Sequence, residues 1–132
     1  MPHLSPAQDL ATHRWEHRVL LVMVSDPSSP ALLRQLAAWQ SQAQGLKERK
    51  LVVYQLSPAQ ARMGLSPHGE WSAPSTLYAS YKQQESGFEV VLIGLDGGVK
   101  ERRTELLPCE ELFAIIDGMP MRRAELRKEG NK

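Results

Sequence analysis

The sequence predicts one α/β domain, a four-stranded mixed sheet flanked by helices, in the order β-α-β-α-β-β-α after an extra N-terminal helix. Three observations predict it. Residues 19–24 (VLLVMV) and 51–56 (LVVYQL) are short apolar runs of the kind that form strands covered on both faces. A helical pattern lies between them, and two strands joined by such a helix pair parallel through a right-handed crossover. A third apolar run, residues 88–95, leads through Asp96-Gly97-Gly98 into a charged segment, which is the signature of a tight antiparallel hairpin.

The elements follow in order. Ser5-Pro6-Ala7-Gln8 has helix-start chemistry, with a capping serine, proline at the first helical position and a glutamine able to close a capping box. It predicts a short helix over 6–14. After the first strand, Asp26-Pro27-Ser28-Ser29-Pro30 stops extended structure and starts a second helix. Its inner positions are Leu32, Leu33, Leu36, Ala37, Gln40 and Ala43, and Gly45 is the expected stop.

Residues 57–73 carry no period, because Pro58, Gly64, Pro67 and Gly69 interrupt it. A helix is expected over 74–84, with Leu77, Tyr78 and Tyr81 facing inward. Residues 99–104 return antiparallel, and their Lys-Glu-Arg-Arg run suits an exposed sheet edge. Residues 108–117 form the last clear helix, with Glu110 and Glu111 favourably placed in its first turn. Gly118 and Pro120 end it, and 119–132 read as a short helix or a solvated tail.

The bulk properties fit this reading. A chain of 132 residues fits one domain and buries roughly two-thirds of its unfolded surface, enough for a core without metal or disulfide. Its 42% hydrophobic and 23% charged residues are a globular balance. A net charge of +1 argues against nucleic acid and against an anionic membrane surface as partners. No apolar run approaches the ~20 residues that cross a bilayer. The first residues have neither the basic nor the apolar region of a signal peptide, so the chain as it stands reads as cytoplasmic, and as extracytoplasmic if a signal peptide preceded it.

The order of elements over residues 19–118 resembles that of the thioredoxin fold. Three stretches sharpen the likeness: 15–22 (WEHRVLLV), 91–100 (VLIGLDGGVK) and 111–122 (ELFAIIDGMPMR). They resemble the bacterial proteins of unknown function related to the DUDES domains of secreted sushi-repeat proteins, which are thioredoxin-like. That resemblance implies a fold and carries over no catalytic residue.

The chain departs from the redox members of the fold in two places. Their Cys-x-x-Cys follows the first core strand, where a helix N-terminus stabilises a thiolate. Here that place holds Ser25-Asp26-Pro27-Ser28-Ser29-Pro30, and serine cannot exchange disulfides. Gly87-Phe88 stands where the fold's cis-proline precedes the third strand. Dithiol oxidoreductase chemistry is therefore not expected.

Candidate residues remain, each with a plain structural account beside it. Ser28 and Ser29, at a helix start, can bind an anion or simply cap the helix. Lys100 and Arg103 can line a site on the edge strand or merely keep that edge soluble. Cys109 is the single cysteine, so no intramolecular disulfide forms. It sits at a helix N-terminus that lowers a thiol pKa, next to Glu110 and Glu111, which oppose that effect. His13 and His17 do not match the His-Glu-x-x-His zinc pattern. Trp39, among glutamines, suits either an exposed contact or a half-buried core position. The basic tail with Arg122, Arg123, Arg127 and Lys128 interleaves with glutamates and has no aromatic residue to stack bases.

The leading functional expectation is a non-catalytic binding module without cofactor or metal. Its partner is another protein or a small anionic ligand, held where the Ser28-Ser29 helix start meets the loop before Phe88. The alternatives are a one-cysteine thiol peroxidase or reductase using Cys109, and a structural module that self-associates, as a homodimer for example, through residues 57–84.

Overall fold

The computed structural model describes residues 10–58, 60–68, 70–71, 73–75, 77–83 and 85–130. The strands are β1 (Arg18–Val24), β2 (Leu51–Leu56), β3 (Gln60–Met63), β4 (Ala73–Pro74), β5 (Phe88–Ile93) and β6 (Val99–Arg103). The helices are α1 (Pro30–Gln40), α2 (Ala43–Glu48), α3 (Leu77–Tyr81), α4 (Cys109–Asp117) and α5 (Pro120–Gly130). The sheet has six strands in the order β4-β3-β2-β1-β5-β6. Its four central and right-hand members are the four that the apolar pattern predicts.

Every residue of β1 is buried, as an apolar run between two layers requires. The strand pairs parallel with β2 and antiparallel with β5. Leu20, Val22 and Val24 face a core shared with Leu32, Leu36 and Trp39 of α1 and Leu112 and Ile116 of α4. Val19, Leu21 and Met23 face the opposite layer with Leu10 and Leu77. Burying each such side chain stabilises the fold by roughly 1.5–3 kcal/mol.

Several elements correct the sequence reading. The single helix expected from Pro30 to Gly45 is two, broken at Ser41-Gln42. Gly45 lies inside α2, and a Cβ there would meet the Phe113 ring at 2.7 Å. Close packing, rather than helix termination, is what that glycine serves. Leu33 and Ala37 face solvent, while Gln35 and Trp39 are buried. Trp39 is fully buried, and its Nε1 donates to the Leu107 carbonyl at 3.0 Å. Gln35 uses both ends of its amide on Leu107, donating to the carbonyl at 3.0 Å and accepting from the N–H at 2.8 Å. The run of polar neighbours hid these positions because each finds its partner within the core.

The helix expected over 74–84 is confined to α3, since Ala73–Pro74 pairs with β3. The aperiodic segment after β2 adds β3 and β4 to the sheet. Polar contacts hold it there. The buried Gln55 donates to the carbonyls of Gly64 and Ser66, both at 2.9 Å. Arg62 donates to Gln55 Oε1 at 2.7 Å and lies over the Trp71 ring. Of the helix expected over 6–14, Leu10 and Ala11 are helical, residues 12–14 form turns instead, and residues 6–9 lie outside the described residues.

On the α3 side, the fully buried Glu89 of β5 ion-pairs with Arg102 and Lys82 and accepts the Gln83 N–H at 3.2 Å. Beside the start of β1, residues 120–130 form a helix, α5, rather than a solvated tail. Its buried Arg122 bonds Asp117 at 3.1 Å and the Glu48 carbonyl at 3.3 Å. Glu125 of the same helix lies 3.4 Å from Arg18 Nη1.

Candidate functional site

The C-terminal end of β1 opens into a cleft. The strand stops at Val24, and the Ser25 N–H donates to the Gly87 carbonyl at 3.1 Å. That bond ties the segment after β1 to the loop before β5. A Cβ on Gly87 would meet Ser25 Oγ at 3.2 Å, so the glycine permits the close approach. The turn into α1 is set by Asp26, whose Oδ1 accepts the Ser28 N–H at 2.9 Å and the Ser28 hydroxyl at 2.8 Å. These two bonds hold the Asp26 carboxyl below the usual carboxylate range.

Pro30 at the first helical position supplies the preset φ that starts the helix. Ser29 stands at the N-cap but makes no side-chain cap bond, and Ser28 spends its hydroxyl on Asp26. The expected serine capping is thus corrected: the aspartate turn and the proline do that work.

The resulting cleft holds about 410 Å³ and is lined by Ser25, Asp26, Ser29, Ser86, Gly87 and Thr104, among others. Asp26 is the one titratable group among its lining residues. Its described lining residues offer hydroxyls and one carboxylate as hydrogen-bonding groups. Ser86 is committed, donating to the Phe88 carbonyl at 2.6 Å.

The cleft lies where the sequence placed it, but it gathers only part of the expected set. Ser29 lines it. Lys100, at the far end of β6, pairs with Asp96 at 2.9 Å. Arg103 pairs with Glu101 at 2.6 Å and with Glu111 of α4. Neither lines the cleft. Asp26, Ser86 and Thr104 were not singled out from the sequence. The Asp-Pro pair directly after an apolar strand is the signal that points to the first of them.

Cys109 begins α4, and its Sγ donates to the Ala38 carbonyl at 3.4 Å. Ala38 lies near the end of α1, about 12 Å along the helix from the cleft at 1.5 Å per residue. Burial pushes the Cys109 thiol above its ordinary pKa, and the nearby Arg49 charge only partly offsets that. His13 Nδ1 lies 3.2 Å from His17 Nδ1, and His13 Nε2 lies 2.7 Å from the Tyr54 hydroxyl. Among the described residues no group of three or more His, Cys, Asp or Glu side chains is placed to hold a metal ion.

The class is defined by this frame: an α/β domain of thioredoxin-like fold, with a cleft lined largely by hydroxyls after its first strand. Residues 9–125 match the model of a family described as "Domain of unknown function (DUF4174)", and the chain belongs to that family. No curated protein of matching sequence is found. Among solved structures, the chain is similar to a reduced 2-Cys peroxiredoxin of Plasmodium vivax, with 16% identity and a TM-score of 0.59 over 88% of this chain and 71% of that one. It is also similar to Trgpx in its apo form, with 22% identity and a TM-score of 0.50 over 85% of this chain and 87% of that one. At such identities the likeness is one of fold.

Proposed function

We propose that the domain is a non-catalytic binding module that takes a protein segment in the cleft at the end of β1. One observation carries the reading: the place that holds reactive sulfur in redox members of the fold is a cleft of hydroxyls, while the single thiol is half-buried at the other end of α1. The Asp26 carboxylate disfavours an anion there, and it accepts hydrogen bonds from peptide N–H groups and hydroxyls. The kinship with DUDES domains that 15–22, 91–100 and 111–122 suggest is compatible with this role.

A second reading is a one-cysteine peroxidase using Cys109. It draws on the peroxiredoxin among the similar folds and on the thiol's place at a helix N-terminus. The raised thiol pKa weighs against it. Self-association through residues 57–84 has less support, because Trp71, Tyr78 and Tyr81 pack against the chain's own core.

The test selects peptides from a random library on the full chain and measures peroxide consumption beside it. Peptides that bind wild type and lose binding to Ser29→Arg, with no peroxide turnover, are the expected result. Turnover that disappears in Cys109→Ser would overturn the reading, as would selected peptides indifferent to Ser29→Arg.

A further inference from the structure

The start of β1 carries a second, chemically different cavity. It holds about 280 Å³ and is lined by Arg18, Lys100, Asp96, Leu95, Met119 and Met121, among others. Arg18 is 1% exposed. Its Nη1 is engaged by the Arg49 carbonyl at 2.9 Å and by both Glu125 oxygens at 3.4 Å. Its Nε and Nη2 are buried and have no hydrogen-bond partner among the described residues. Buried donors left unfilled are costly, so they mark either strain or a missing acceptor.

The same molecule shows what fills such an edge. Arg49 Nε donates to Asp117 Oδ1 at 3.1 Å, and its Nη2 to Oδ2 at 2.9 Å. That is a bidentate carboxylate on the Nε–Nη2 side of a guanidinium, the geometry the two groups share by shape. Arg18 carries the same pair of donors with no partner among the described residues. Almost none of either atom's surface is accessible, so a ligand reaches them only when the apolar wall of the cavity moves. The rest of the cavity narrows the chemistry. Lys100 is already neutralised by Asp96, leaving Arg18 as the cation short of acceptors. One such cation matches a singly charged head better than a dianion. Leu95, Met119 and Met121 make the wall apolar, and methionine re-packs readily around a guest to open the path to the guanidinium.

We infer that this cavity is a binding site for a small carboxylate with an aliphatic body, its head bidentate on Arg18 Nε and Nη2 and its tail against Leu95, Met119 and Met121. The site stands apart from the cleft at the other end of β1 and does not depend on the role given to that cleft. Its place is roughly 20 Å away along a strand of seven residues.

The experiment titrates the full chain with sodium hexanoate, and separately with 1-hexanol, while recording amide shifts. Hexanoate should give saturable shifts at Gly94, Leu95, Lys100 and Met121, with hexanol about tenfold weaker or worse. Arg18→Met keeps the volume and removes the donors, and should weaken hexanoate about tenfold or more. If that variant does not fold, Met121→Glu serves instead: a carboxylate on the exposed wall should abolish hexanoate binding. Equal affinity for acid and alcohol, shifts confined to Ser25–Ser29, no shifts at all, or unchanged binding in the folded variants would each overturn the inference.

Discussion

The two ends of β1 are built on opposite principles. On the cleft side of the Ser25 end the chain is held by backbone bonds and short side chains, and the side chains that line the cleft are mostly exposed. At the Arg18 end one strand, two helices and the turn between α2 and β2 are tied by arginines and carboxylates: Arg18, Arg49, Asp117, Arg122 and Glu125. One end is open and weakly committed; the other is charged and cross-linked. The contrast teaches that the end associated with function by fold analogy is not the end where charge ties the helices α4 and α5 to β1. The buried Glu89 beside Met23 pairs with Arg102 and Lys82 on the opposite layer.

The comparison predicts a graded set of responses. The largest is expected where neither end is touched. Trp39→Ala removes an indole packed against both β1 and the Leu107 segment, and should cost about 3–5 kcal/mol in urea unfolding. A loss below 1 kcal/mol would mean that α1 does not brace the two ends together.

Next, Glu125→Ala leaves the Arg18 guanidinium with backbone acceptance alone, and a loss of about 2–3 kcal/mol is expected by the same measurement. Arg18→Met, which removes the charge and keeps the volume, should cost far less and can stabilise the fold. Equal losses in the two variants would show that the charge at this end is a net asset and not a burden.

A smaller effect is expected in the pH dependence. The Cys109 pKa is raised in the folded chain, so its contribution to stability is full below the ordinary thiol range of ~8.5 and is lost as pH rises through the folded value. Alkylation should therefore stay slow at neutral pH and climb only in alkali. Fast labelling at pH 7 would contradict the burial. The smallest change is expected at the open end. Asp26→Asn should leave the urea midpoint at neutral pH nearly unchanged. Because the Asp26 pKa is lowered, its contribution is present above the ordinary carboxylate range and fades as acid protonates it. A marked loss at neutral pH would show the Ser25 end to be braced after all.

The sheet was legible because its central strands are covered on both faces and therefore read as unbroken apolar runs. The position of the cleft was expected by analogy with the fold, from the helix start after β1 and the loop before Phe88, and not from the chemistry of its residues. Its lining was less legible, because Ser86 and Thr104 come from segments far away in the sequence. Strands β3 and β4 escaped notice because Gln55 and Arg62 hold them with polar groups that leave no periodic trace. Arg18 read as the ordinary flank of a strand. Its burial depends on Arg49, Asp117 and Glu125, which converge only in three dimensions.

The Gln35 amide acts on the timing of exchange as well as on structure. Leu107 belongs to no helix or strand, yet its N–H and carbonyl are both taken by one buried side chain, with Trp39 adding a second donor to the carbonyl. In deuterated solvent, the Leu107 amide should then keep its proton until α1 itself lets go, exchanging with the slow core class while the exposed neighbours Glu105 and Leu106 trade theirs early. A connection that looks like loop would behave, on the scale of hours, as one more strand.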